Sequence, residues 1–175
     1  MNTRICACAL LLSLWLPSRA HADIYYVTVS GLAGDADYQQ RFASSGNDLD
    51  KALKASSGTV HLYALSGETA TREHLNEVMS QVAKAARPED DFVLILIGHG
   101  SYDGVEYRLN LVGPDISAAE LARLCNAVPT RRQLVVNTTS ASGGALAALQ
   151  RKGRAVITAT KSGTEKNATV FARFF

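Results

Sequence analysis

One stretch limits the possible folds more than any other. After Asp91, the run Phe92 to Ile97 is apolar at every position, and it is followed at once by Gly98, His99 and Gly100. A run this short, with no polar alternation, reads as a strand covered on both faces, as the centre of a parallel sheet requires. Four more apolar runs rich in β-branched residues flank it in the chain: Ile24 to Val29, Thr59 to Leu65, Gln133 to Asn137 and Ala155 to Thr160. They alternate with segments of helical periodicity. Strand–helix–strand alternation predicts an α/β domain, a three-layer α/β/α sandwich around a mostly parallel sheet of about five strands. Each parallel strand delivers its last residue to the carboxyl edge, where open sheets of this type hold their ligands.

The intervening segments carry recognisable start and stop signals. A Gly-rich turn, Ser30 to Gly34, precedes Tyr38, Phe42, Leu49 and Leu53 at roughly helical spacing. That pattern is interrupted at Ser44 to Asn47, and Asn47 is expected to cap a second short helix. Thr71 caps a helix whose apolar stripe is Leu75, Val78, Met79 and Val82, ended by Arg87 to Asp90. Asp103-Gly104 separates two short segments expected to pair as a hairpin on the sheet rim. Ser117 and Glu120 form a capping-box pattern for a helix to about Ala127, stopped by Pro129. Gly143-Gly144 lead into a helix through Leu149, and Asn167 is expected to start a last helix running to Phe175. No linker or repeat divides the chain, so residues 23–175 are read as one domain. The abrupt stop on Phe174-Phe175 is read as a missing or unusually short C-terminal portion.

Residues 1–22 are read as a signal peptide. Arg4 lies in a short positive start, Ile5 to Leu16 is apolar, and Ala20-His21-Ala22 is a small-residue cleavage site. The apolar run is too short to span a membrane and no later run is long enough. Cys6 and Cys8 precede the apolar core, which excludes a lipoprotein signal. The expectation is export, to a periplasm or beyond. Losing Arg4 and Arg19 from the 18 basic residues leaves them equal to the 16 acidic ones. A neutral chain gives no electrostatic reason to expect nucleic acid as a partner. Cys125 is the one cysteine left after the leader, so no internal disulfide is expected and the core must carry stability. No cluster of His, Cys or carboxylates has metal-ligand spacing, and no cofactor motif is present; Ser30 to Asp35 lacks both the dinucleotide and the P-loop pattern.

Two strand ends carry the chemistry. His99 follows the all-apolar strand, lies in a turn, and has glycine on both sides, so a ligand can approach its backbone closely. A core or surface histidine is the bland alternative, and it suits His61 and His74 better. The second strand end, Asn137 to Gly144, contains Ser140 and Ser142 among small residues. Its plain reading is a polar turn capping a helix; its sharper reading is a nucleophile loop. Gly100 could donate its amide to an oxyanion. Cys125 sits among Leu121 and Leu124 on a helix and reads as a small hydrophobe. After the fifth strand, Lys161 and Glu165 are either part of a substrate pocket or a solvated turn.

Taken together, Ile97-Gly-His-Gly-Ser101 and Thr139-Ser-Ala-Ser-Gly143 resemble the legumain-like (haemoglobinase) family of the caspase-like peptidase fold, which includes the catalytic subunit of the GPI transamidase. The resemblance spans most of Asp23 to Phe175 and implies the strand order 2-1-3-4-5. It makes His99 the general base, Ser140 the nucleophile position and Gly100 an oxyanion donor. Ser101, Ser142, Lys161 and Glu165 become substrate-binding candidates, and a peptide or protein becomes the substrate. The chain departs from the family at one atom, since Ser140 stands where the family has cysteine. A hydroxyl has no accessible anion near neutral pH and needs a well-held base, whereas a thiol does not. Two readings follow: a peptidase with a serine–histidine pair, or a silent peptide-binding module with the same cleft. A serine esterase that reached similar residues independently is a third. The sequence leaves oligomeric state open.

Overall fold

The computed structural model describes residues 22–56, 58–167 and 169–170. Apart from Ala22, the expected leader lies outside the described residues, as does most of the expected C-terminal helix; Asn167, Thr169 and Val170 are not helical. In chain order the elements are β1 (Ile24–Ser30), α1 (Ala36–Lys54), β2 (Val60–Leu65), α2 (Arg72–Ala85), β3 (Asp91–Ile97), β4 (Gly100–Tyr102), β5 (Tyr107–Leu109), β6 (Ile116–Ser117), α3 (Ala118–Ala127), β7 (Arg132–Asn137), α4 (Leu146–Leu149) and β8 (Arg154–Thr158).

Five strands form one sheet in the order β2-β1-β3-β7-β8, with every neighbouring pair parallel. Counted among themselves these strands run 2-1-3-4-5, as expected. β3 is central because its side chains are apolar in both directions. Phe92, Leu94 and Leu96 face a core shared with Leu75, Met79 and Val82 of α2, Leu121 and Cys125 of α3, and Leu149 of α4. Ile95 and Ile97 face the other side, where Val136 joins them and Phe42, Leu49 and Leu53 of α1 pack on top. The result is a three-layer α/β/α sandwich. Among the described residues no helix is long and apolar enough to cross a membrane.

The caps of α2 and α3 behave as the sequence predicts. The Thr71 hydroxyl accepts from the His74 amide (3.1 Å), and Ser117 and Glu120 close a reciprocal capping box (3.2 and 3.0 Å). The rim hairpin also forms, with Asp103 Oδ1 accepting from the amides of Val105 and Glu106, both at 2.8 Å. A third short strand, β6, adds to it antiparallel. The polar Pro114-Asp115 approach and the two-residue length of β6 hide it in the sequence.

α1 departs from expectation. It is one helix of 19 residues running through Gly46, and its cap is Asp35, whose Oδ1 accepts from the Tyr38 amide (2.9 Å). Asn47 therefore lies inside a helix and caps nothing. A mid-helix glycine costs about 1 kcal/mol relative to alanine. Here it sits where the helix meets the sheet, since a Cβ at Gly46 would lie 2.9 Å from Ser30 Oγ. One turn on, Asp50 accepts a hydrogen bond from Thr28 (3.2 Å). Docking to β1 thus carries the helix through the glycine. None of its residues is fully buried, so this layer is the thinner one.

At the amino end of the sheet, Asp90 is buried and its carboxylate accepts from the amides of Asp23 (3.0 Å) and Arg87 (2.8 Å) and from the Arg87 guanidinium (3.1 Å). Burial alone would raise its pKa, but the bonds from the Arg87 side chain and the two amides outweigh it and hold the carboxyl below its usual range. The stability that Asp90 contributes is therefore fully present above its unfolded pKa of about 3.9 and is lost as pH falls through the lower folded value. Replacing it by Asn is expected to destabilise the fold by about 2 kcal/mol at neutral pH. Urea unfolding followed by far-ultraviolet circular dichroism measures this, and the gap between the two proteins should shrink below pH 4.

Candidate active site

β3 and β7 are paired to the last residue of β7, with Leu96 opposite Asn137. The pairing continues past the strands: both the amide (2.9 Å) and the hydroxyl (2.8 Å) of Thr138 donate to the Leu96 carbonyl. The two chains must then diverge. Gly98 turns the first with φ of 143°, and a Cβ there would lie 3.3 Å from the Gly31 nitrogen. The second turns at Ala141, which adopts the left-handed conformation (φ 55°, ψ 10°). That conformation costs a non-glycine residue on the order of 1 kcal/mol or more and persists where surroundings enforce it. Here the Ala141 amide is held by the Glu165 carbonyl (2.8 Å) and its own carbonyl accepts from Gly144 (2.9 Å). The strained turn lies directly after Ser140 and fixes the direction in which the chain leaves it.

His99 and Ser140 line one crevice, together with Tyr38, Phe42, Thr138 and Thr169. The imidazole is gripped from one side by α1, edge-on to the rings of Tyr38 (4.5 Å between centroids) and Phe42 (5.1 Å). Its Nε2 lies 3.1 Å from the Ala33 carbonyl. A carbonyl only accepts, so Nε2 carries the hydrogen and the lone pair of the neutral ring is on Nδ1. Ala33 thereby fixes both the tautomer and the orientation of the ring.

Ser140 is 5 % exposed and is bonded twice to a single residue: its hydroxyl donates to the Gly100 carbonyl (3.0 Å) and accepts from the Gly100 amide (3.2 Å). The amide expected to receive an oxyanion is thus occupied by the oxygen of Ser140. The serine proton is directed at a backbone carbonyl instead of at His99. The crevice has a volume of about 30 Å³, room for one water. Thr169 closes its flank by donating to the Thr138 carbonyl.

The loop that carries Ser140 rests on buried polar side chains. Tyr107 is fully buried, its hydroxyl 2.7 Å from Thr139 Oγ1 and 3.4 Å from Asn137 Oδ1. Burial pushes its pKa up to about 12 despite these bonds, so it stays neutral and supports the loop without exchanging protons.

The other sequence candidates are less central. Ser142 is fully buried, and its hydroxyl accepts from the Thr160 amide (3.0 Å), tying the β7 loop to the β8 loop. Ser101 is exposed on β4, opposite Arg108. Lys161 and Glu165 are exposed; the Lys161 amide donates to the Glu165 carboxylate (3.0 Å), and they brace the Ser140 loop from outside the crevice. His61 stacks on Tyr25 and pairs with Asp23 (3.1 Å), on the strand pair well before the carboxyl edge. Cys125 is buried in the core, where burial pushes its thiol up to about 11. Among the described residues no three His, Cys, Asp or Glu side chains group as a metal would require. The Ala33 carbonyl carries no sequence signal because every residue has one, and Tyr38, Phe42 and Thr169 reach the crevice only through tertiary packing.

The chain is similar in fold to the crystal structure of protein GSU0716 from Geobacter sulfurreducens, with a TM-score of 0.52 and 19% identity over 68% of this chain. It spans 50% of the length of that protein, and at this identity the likeness speaks to fold alone. No protein-family model matches the chain and no curated protein matches it in sequence.

Gly100 is one of the tightest points of the site. A Cβ there would lie 2.4 Å from the Ser140 carbonyl oxygen and 2.5 Å from the Tyr107 ring. Gly100→Ala is expected to destabilise the protein by about 3 kcal/mol, since backbone and a buried ring cannot both yield. Gly104→Ala at the exposed hairpin tip, where a Cβ meets nothing, should cost only the strain of its positive φ. Paired urea melts of the two variants check the contrast.

Proposed function

We propose that this chain is an exported hydrolase of the peptidase type, related to the legumain-like family of the caspase-like fold, with His99 as base and Ser140 as nucleophile. The observation that carries the reading is the convergence of those two side chains, from adjacent strand ends, on one crevice with the Gly100 amide aimed at the serine oxygen. The leader sequence supports export to a periplasm or the exterior. Peptides or proteins are the substrate class that the resemblance supplies.

The chemistry follows from the hydrogen bonds. Substrate entry turns the Ser140 hydroxyl away from the Gly100 carbonyl and toward Nδ1 of His99. As Oγ attacks the carbonyl carbon, its proton passes to Nδ1, and the carbonyl π electrons move onto oxygen. The Gly100 amide, relieved of Oγ, donates to that oxyanion. Collapse of the tetrahedral intermediate expels the amine, which takes the proton back from His99. Water then repeats the sequence on the acyl-serine. The Ala33 carbonyl steadies the imidazolium throughout, in the place where serine hydrolases usually have a carboxylate.

A second reading, a silent peptide-binding module, is favoured by one observation: Ser140 is already satisfied by Gly100 within a crevice that admits a single water. The two readings separate with a fluorophosphonate probe. An active pair labels at Ser140, and His99→Ala should slow labelling by about 10² to 10⁴-fold. Absence of labelling on a folded protein sinks the hydrolase. Ser140→Cys in that case is expected to gain peptide cleavage, because a thiol needs less help from its base.

A further inference from the structure

On the far side of the Ala33 loop from Ser140 lies a much larger groove of about 590 Å³, within the range of ligand-binding pockets. Its walls come from the loop after β1, the first turns of α1 and the loop after β2. It sits at the carboxyl edge of the sheet beside the place where strand order reverses, the usual ligand position in folds of this type. Phe42 joins it to the catalytic crevice, since that ring touches both His99 and the groove.

The lining chemistry is specific. Leu32, Phe42, Ala43 and Val112 give apolar surface, and Leu32 is 45% exposed, so part of that surface is open to a ligand. Asp35 and Glu68 are the charged lining residues, both acidic, and neither is ion-paired among the described residues. Asp35 is partly offset by capping the α1 N-terminus. Glu68 has no such offset beyond the short turn that it begins.

We propose that this groove binds the part of a peptide substrate that flanks the reacting bond, and that it selects an apolar side chain next to a lysine or arginine. The apolar walls take the first and Glu68 meets the second. An acidic peptide would bring its charge against Glu68 with no cation to compensate. The assignment rests on the peptidase reading, yet it concerns binding and can be measured without turnover.

The test uses the purified protein carrying Ser140→Ala and two fluorescein-labelled octapeptides, one with leucine between lysines and one with leucine between aspartates. Fluorescence anisotropy should show the lysine peptide binding at least tenfold more tightly. Glu68→Lys should remove or reverse that preference, and Ala43→Trp, which fills the groove from an exposed helical position, should weaken the lysine peptide at least tenfold with an unchanged circular dichroism spectrum. Equal binding of both peptides, tighter binding of the acidic one, or indifference to Glu68→Lys and Ala43→Trp overturns the groove assignment. Fluorophosphonate labelling of the unmodified protein without any peptide binding also overturns it while leaving a serine hydrolase in place. Failure of both labelling and binding removes the assignment and the peptidase reading together.

Discussion

The site depends on how closely two parallel strands can be followed by two divergent loops. The Leu96 carbonyl accepts both the amide and the hydroxyl of Thr138, so the two chains remain locked one residue beyond the end of β7. Within a few residues the chains must separate and still leave Gly100 against the Ser140 carbonyl, at a distance where no Cβ fits. Everything else is arranged around that contact. Tyr107 fills the space below it, the left-handed Ala141 turns the chain away from it, and Glu165 and Thr160 hold the turn from outside. His99 is not bonded to Ser140. It is placed beside it by the sheet and aimed by Ala33.

The balance of layers bears on how the site moves. α2, α3 and α4 pack on a large core, whereas α1 has no fully buried residue and touches the sheet through a few partly exposed side chains. Elements with little buried surface open at low free energy, and binding sites are drawn from them. α1 supplies Tyr38 and Phe42 to the imidazole and one wall of the large groove. The element that packs on the His99 ring is therefore also the more yielding of the two helical layers. Its tie from Thr28 to Asp50 and the close approach at Gly46 anchor its middle, leaving the first turns by the groove the freer part.

The sequence made the sheet legible because burial on both faces leaves an unbroken apolar signature, seen in Phe92 to Ile97, and because capping is local chemistry, seen in Thr71 and in Ser117 with Glu120. Continuity of α1 was not legible, since Gly46 weakens a helix locally and only contact with Ser30, sixteen positions away in sequence, explains its tolerance. The candidate residues His99, Ser140 and Gly100 are brought together. Ser142 was misleading: a small polar residue in a strand-to-helix loop looks available, and its complete burial against Thr160 is a tertiary fact. The Ala33 carbonyl could not have been found from sequence, because every residue has one.

Whether Ser140 works as a nucleophile turns on magnitudes. Leaving Gly100 breaks two neutral hydrogen bonds, each worth about 0.5–1.5 kcal/mol net, so opening costs about 1–3 kcal/mol before any bond to His99 forms. That is a factor of roughly 10 to 100 in rate, small beside what acyl-transfer enzymes achieve. The closed geometry by itself therefore does not silence the site, and substrate in the oxyanion position would offset it by taking over the Gly100 amide. The heavier burden is on the base. A neutral Ala33 carbonyl stabilises an imidazolium less than a carboxylate does, and a serine hydroxyl must surrender its proton during attack where a thiol could lose it beforehand. The same arrangement that would suffice for sulfur is thus stretched for oxygen, and the proposed serine chemistry depends on the strength of one backbone carbonyl behind one histidine.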